Sequence, residues 1–220
     1  MLSLFKKGLS LLSLISLSAC GQQSNYTKSK TFKSMNEHNA KTEARVDTAT
    51  FGAGCYWCTE AQFQQLKGVK GVESGFSGGH VDNPTYHQVC EGTTGHAEVC
   101  NIYYDPSVIS FDELLAAFWT CHDPTQLNRQ GNDVGTQYRS AIFYHTDEQR
   151  KIAESYKQKL NDEMAFGKPV VTQIAPFTKF YKAEDYHQNY YNQNGGQPYC
   201  AFVIAPKLEK FKKVFKDKIK

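Results

Sequence analysis

The segment Gly54-Cys55-Tyr56-Trp57-Cys58-Thr59-Glu60 places a thiol where an apolar, strand-like run gives way to a helix-like run, with two aromatic residues directly behind it. A thiol at a helix N-terminus feels the positive end of the aligned peptide dipoles, which favours the nucleophilic thiolate. Tyr56 and Trp57 offer an apolar wall for a small substrate group beside the sulfur. This combination points to sulfur chemistry on a small side chain. Cys55 and Cys58 also form a CxxC pair, for which three readings stand side by side. A structural zinc site needs a second cysteine pair or matching histidines, and Cys90, Cys100, Cys121 and Cys200 each stand alone, so no metal is expected. A dithiol of the thioredoxin type also uses a strand–CxxC–helix unit, although two bulky aromatics between the thiols are unusual for a general exchanger. In the third reading Cys55 is a single catalytic thiolate and Cys58 is secondary to it.

Partners for such a thiolate stand elsewhere in the chain. Thr93-Thr94-Gly95-His96-Ala97-Glu98 brings a carboxylate onto a strand. If Glu98 points into an apolar pocket, burial keeps it protonated near neutral pH, and it can then donate to a developing oxyanion. The plainer alternative is a surface glutamate. Asn83-Pro84-Thr85-Tyr86 presents one phenol, and Gln130 to Ser140 presents Asp133 and a second phenol, Tyr138. Either hydroxyl can donate to the same oxygen; taken alone, each tyrosine reads as a packing residue.

The elements that must position these groups follow from the apolar pattern. Val46 to Phe51, Val69 to Phe76, His96 to Tyr104, Tyr138 to His145 and Val170 to Ile174 read as strands. In the third, Ala97, Val99, Asn101 and Tyr103 alternate against Glu98, Cys100, Ile102 and Tyr104. Cys55 to Leu66 reads as a helix. Ser110-Phe111-Asp112-Glu113 forms a capping box that opens a second helix, and Thr146-Asp147-Glu148-Gln149 caps a third running to about Ala165. Residues 77 to 95 and 122 to 137 read as long polar loops, a length that usually carries function. The order of the first six elements predicts a split βαβ arrangement of the ferredoxin-like kind: an α+β sandwich of mostly antiparallel sheet with packed helices. From Ala175 onward, extended coil with short helices is expected.

The 220 residues suffice for one substantial domain plus extensions, and 40% hydrophobic and 13% aromatic residues support a real core. A formal charge of +3 argues against nucleic-acid binding, which usually shows a strongly basic face. The basic stretch 207–220 reads as a solvated tail or amphipathic helix. At the other end, Lys6 and Lys7 precede an apolar run, Leu9 to Leu17, followed by Ser18-Ala19-Cys20. This is the layout of a secretory signal, with an apolar run too short to span a bilayer as a mature helix. Leu17-Ser18-Ala19-Cys20 resembles the bacterial lipobox. That likeness implies removal of residues 1–19, lipidation of Cys20, and an exported protein anchored to a membrane, the outer one in a Gram-negative cell because Gly21 stands where Asp would signal retention. Residues 20–46 read as a flexible linker, and a catalytic domain is expected over 47–206.

Gly54-Cys55-Tyr56-Trp57, Asn83-Pro84-Thr85-Tyr86, Thr94-Gly95-His96-Ala97-Glu98, His122-Asp123-Pro124-Thr125 and Gly135-Thr136-Gln137-Tyr138-Arg139-Ser140 together resemble the motifs of the peptide methionine sulfoxide reductase A family, in the family's order. Pro169 to Val171 and Ala183-Glu184-Asp185-Tyr186-His187-Gln188 continue the likeness. Tyr56 stands where the family usually carries Phe, and Cys58 where Gly is common. The resemblance implies reduction of methionine sulfoxide, free or protein-bound, at the S epimer. On that reading the substrate methyl sits against Tyr56 and Trp57, while Glu98, Tyr86 and Tyr138 hold the sulfoxide oxygen. Cys55 attacks sulfur while Glu98 protonates oxygen, and Asp133 orients the tyrosines or the second thiol. Cys55 is left as a sulfenic acid, which a second thiol converts to a disulfide. By resemblance that thiol is Cys200, with Cys58 as its competitor. No bound cofactor is implied; an external thioredoxin-like dithiol is. A general thiol–disulfide exchanger and a non-catalytic lipoprotein binding a partner through its aromatic loops remain the alternative functions.

Overall fold

Period-two apolar alternation builds the sheet that carries the candidate residues. The computed structural model describes residues 45–220; the expected signal peptide, Cys20 and nearly all of the expected linker lie outside the described residues. Strands β1 (Asp47–Ala53), β2 (Val69–Ser77) and β3 (Ala97–Tyr104) pair antiparallel, with β3 between the other two. Helix α1 (Tyr56–Phe63) connects β1 to β2. After α3 (Phe111–Cys121), strand β6 (Ser140–Tyr144) pairs antiparallel with the outer side of β1. The sheet order β6-β1-β3-β2 is that of a split βαβ pair, as the element order predicts. Two further strands widen the sheet: β7 (Gln173–Pro176) lies parallel to β6, and β8 (Phe180–Lys182) lies antiparallel to β2. The fold is α+β, a mixed six-stranded sheet with packed helices.

The alternation along β3 sorts its residues between two faces. Cys100, Ile102 and Tyr104 join Phe51, Phe63, Leu114, Phe118 and Ala153 in the main core, under α1, α3 and α4 (Asp147–Asp162). Ala97 and Val99 join Ala141 and Phe143 in a smaller cluster on the opposite face. Both expected N-caps form. The Ser110 hydroxyl accepts from the Glu113 N–H, and the Thr146 hydroxyl accepts from the Gln149 N–H. The Gln149 side chain reaches one residue beyond the reciprocal capping position and accepts from the His145 N–H instead.

The two long polar loops contain small elements that their composition does not announce. Residues 77–95 hold α2 (Tyr86–Cys90), opened by a Thr85–Gln88 capping box. Residues 122–137 hold a hairpin of β4 (Arg129–Gln130) and β5 (Asp133–Val134), followed by a 3-10 turn over Thr136–Tyr138. From Ala175 onward the chain carries β8, α5 (Tyr190–Asn194), a π-helical turn at Cys200–Ile204 and α6 (Ala205–Val214). Leu208 and Phe211 of α6 are buried, and Ile219 bridges to Leu66, so the basic stretch is packed onto the domain.

Candidate active site

Gly54 makes the turn from β1 into α1. Its φ is +90°, and a Cβ there would lie 2.6 Å from the Gln130 Cβ, so both backbone and space demand glycine. The turn delivers Cys55 as the N-cap of α1. Tyr86 comes from the first turn of α2, Glu98 from β3, Asp133 from β5 and Tyr138 from the 3-10 turn. These five, with Tyr56, Trp57 and Tyr199, line one small pocket open to solvent. Residues far apart in sequence thus converge as expected. Cys58 and Cys200 do not line the pocket; both are buried beside it.

The electrostatics depart from the sequence reading at Cys55. Burial pushes this thiol well above its ordinary value, against the effect expected of the helix N-terminus, and the neighbouring Cys58 and Glu98 raise it further. The positive end of the helix serves another group. The first N–H of α1, that of Tyr56, donates to Glu98 Oε2 at 3.0 Å. Even with that donor, burial raises the Glu98 carboxyl to about 8, with Asp133 and Cys58 adding to the shift. Glu98 is therefore a proton donor at neutral pH. Burial raises the Tyr86 and Tyr138 hydroxyls as well, so both remain donors.

Cys58 runs the other way. The neighbouring Cys55 thiol lowers it to about 7 against the opposing effect of burial, helped by the Lys207 ammonium and the Tyr199 hydroxyl. Burial thus opposes the anion at Cys55, while Lys207 and Tyr199 favour it at Cys58.

The aromatic wall has more layers than the sequence suggests. Trp57 stacks on Tyr190 with ring centroids 3.7 Å apart and planes 7° from parallel. Glu60, buried on α1, pins that segment by accepting the Asn189 N–H at 2.8 Å and the Tyr190 N–H at 3.3 Å, and burial lifts its carboxyl to about 7. His187 packs against Tyr86 at 4.4 Å and Tyr56 at 5.4 Å between ring centroids. Tyr199 donates to Asp133 Oδ2 at 2.9 Å, giving that carboxylate a partner from the C-terminal segment. Among these, only the adjacency of Tyr199 to Cys200 is visible in the sequence. Loss of the Tyr199 hydroxyl in Tyr199→Phe leaves Asp133 short of a charge-assisted donor. The expected result is a drop of about tenfold in kcat/KM, read by steady-state kinetics.

Tyr56 is 1% exposed, and its hydroxyl has no hydrogen-bond partner. The expected outcome of Tyr56→Phe is retained turnover and a stability gain of about 1 kcal/mol, because a desolvated hydroxyl is removed and the ring stays. Denaturant unfolding checks it.

Among the described residues, no group of three or more His, Cys, Asp or Glu is placed to hold a metal ion, and all six cysteines are free thiols. A nucleophilic sulfur, a protonated carboxyl and two phenols around one small cavity suit removal of oxygen from an oxidised thioether. Comparison with known proteins points the same way. The peptide methionine sulfoxide reductase MsrA of Saccharolobus solfataricus is 57% identical over 175 residues, 80% of this chain and 98% of the relative. That of Polynucleobacter asymbioticus is 54% identical over 185 residues, 84% of this chain and 97% of its own. Among solved structures, reduced Mxr1 from Saccharomyces cerevisiae superposes with a TM-score of 0.67 at 34% identity, covering 73% of this chain and 94% of its own. Methionine sulfoxide reductase A of Corynebacterium diphtheriae gives 0.62 at 40% identity, covering 70% and 77%. Residues 47–219 match the family described as peptide methionine sulfoxide reductase, and the chain belongs to that family.

Proposed function

We propose that this protein reduces the S epimer of methionine sulfoxide, free or within proteins, to methionine, and that an external thioredoxin-like dithiol restores it. The observation that carries the reading is the single pocket shared by Cys55, Glu98, Tyr86 and Tyr138. The substrate methyl lies against Tyr56 and Trp57, and the sulfoxide oxygen takes hydrogen bonds from the two phenols and the Glu98 carboxyl. Sulfoxide oxygen leaves only once protonated, so the acid is as necessary as the nucleophile. As Cys55 sulfur closes on the substrate sulfur, its proton passes to Cys58, and Glu98 protonates the oxygen. Methionine departs and Cys55 carries the hydroxyl as a sulfenic acid. A thiolate then attacks Cys55, an S–S bond replaces the S–O bond, and the oxygen leaves as water. In sum, one sulfoxide and two thiols become one thioether, one disulfide and one water.

Cys58 makes the first disulfide on this reading. Its place in the first turn of the helix that Cys55 caps, and its lowered titration, favour it. Cys200, implied by the family resemblance, is wholly buried at the start of the π-helical turn. Burial raises its thiol and the Cys58 charge raises it further, which places Cys200 near enough to Cys58 for a second exchange. The protein is further read as exported and anchored through a lipid on Cys20, where it repairs oxidised exported proteins. The support for this is the Lys6-Lys7 start, the Leu9 to Leu17 run and the lipobox-like Leu17 to Cys20.

The test supplies the reduced protein with dithiothreitol and each epimer of N-acetylated methionine sulfoxide. Consumption of the S epimer alone is expected. Equal consumption of both epimers, or of neither, overturns the reading.

A further inference from the structure

Lys207 lies on α6, an element the sequence reading left as a solvated basic stretch. Its ammonium nitrogen is 3.8 Å from the Cys58 sulfur. The residue is half-buried, and among the described residues no carboxylate forms an ion pair with it. Burial and the Asp133 carboxylate oppose an anion at Cys58, as do the potential charges of Glu98, Cys121 and Cys200, whereas Cys55 favours it. The Tyr199 hydroxyl, 3.9 Å from the sulfur, is the remaining polar neighbour. A cation held against a thiol in such surroundings, with its charge unclaimed elsewhere, is placed to stabilise the thiolate.

We propose that Lys207 is a positioning residue for the second half of the cycle, holding the Cys58 sulfur as an anion for its attack on the Cys55 sulfenic acid. The proposal rests on the reading of Cys58 as the first resolving thiol. After methionine forms, Cys58 carries the proton taken from Cys55, and it must release that proton to solvent before it attacks. Lys207 favours the release. The thiolate then forms the Cys55–Cys58 bond while the Cys55 S–O bond breaks, and the departing hydroxide takes a proton to become water. Cys55 sulfur is reduced from the sulfenic level to the disulfide level as Cys58 is oxidised to it, so no further oxidant or reductant is needed.

The experiment follows a single turnover of the reduced full-length protein. Wild type, Lys207→Met and Lys207→Arg are mixed with N-acetylated methionine sulfoxide without reductant, quenched in acid at intervals and alkylated. Mass spectrometry of the peptides measures the Cys55–Cys58 link. Methionine released per protein marks the folded, reactive fraction of each variant, so a folding defect is not mistaken for slow resolution. At neutral pH the link is expected to form about fivefold more slowly in Lys207→Met, as for a loss of about one pKa unit of thiolate stabilisation in a group that titrates near 7. Its pH–rate profile is expected to move to higher pH, and Lys207→Arg to behave as wild type. A purely packing role would move neither the profile nor its rescue by arginine. An unchanged rate and profile in Lys207→Met overturns the proposal. If wild type links Cys55 to Cys200 directly, the Cys58 reading fails and this proposal with it, and that outcome is distinguished by the identity of the linked peptides.

Discussion

Cys55→Ser is expected to lose at least about 10⁴-fold in turnover of methionine sulfoxide, the scale seen when a covalent nucleophile is removed. Serine keeps the shape of the N-cap, so α1 and the pocket are expected to persist. What goes is the polarisable sulfur that attacks the substrate and then holds its oxygen. The structure adds a second consequence. The Cys55 thiol is the foremost reason that Cys58 titrates near 7, ahead of Lys207 and Tyr199. A serine hydroxyl is a stronger hydrogen-bond donor than a thiol, so the Cys58 thiol is expected to titrate no higher in the variant. Steady-state assay with dithiothreitol reads the first effect, and pH-dependent alkylation of Cys58 reads the second. Turnover within tenfold of wild type would remove Cys55 from the mechanism, and with it the whole assignment of the pocket.

Glu98→Gln is expected to cost about 10²- to 10⁴-fold in kcat/KM, the usual contribution of a positioned general acid. Glutamine still offers an oxygen to the Tyr56 N–H, so the loss reports the proton rather than the fold. The wild-type profile carries a matching signature. Burial lifts the Glu98 carboxyl to about 8, so the acid is loaded at neutral pH, and kcat/KM is expected to fall as pH rises above that value. The glutamine variant lacks this limb. Stability follows the same group with a definite sign. The ordinary carboxyl value is 4.5, so between 4.5 and about 8 the folded protein keeps a proton that the unfolded chain has released. The folded state binds more protons there, and stability falls as pH rises through that window. Glu60, lifted to about 7 by burial, acts in the same direction. Glu98→Gln removes one of the two contributions, so its unfolding free energy is expected to fall less steeply than that of wild type between pH 4.5 and about 8. Parallel slopes for the two proteins in denaturant unfolding, together with a full-strength alkaline limb in the variant, would show that Glu98 is ionised and not the acid.

Where sequence reasoning succeeded, the signal was local. The alternation along β3 put Glu98 on the same face as Cys100 and Ile102, under α1, before any pairing was known. Ser110 and Glu113 marked the start of α3 because a capping box is satisfied within one turn. Gly54 before Cys55 marked a turn because only glycine is at ease at the backbone angle found there. Where it fell short, the missing information was long-range. The strand β8 has three residues and no alternation of its own; its existence depends on the free edge of β2. Tyr190 and Glu60 are 130 residues apart and meet only when the C-terminal segment folds back over α1.

The charge state of the thiols is the sharpest instance. Residue types and spacing alone determined that Cys55 was a candidate nucleophile for sulfur chemistry on a small side chain; that Glu98, Tyr86 and Tyr138 would join it was what the family resemblance implied. Which sulfur holds the proton was decided by tertiary structure. Burial disfavours the anion at Cys55, the helix N–H that was to stabilise it donates to Glu98 instead, and Lys207 arrives beside Cys58 from 149 residues away. A thiol's ionisation is set by solvent exclusion and by charges within a few ångströms, and both come into being only when the chain has closed on itself.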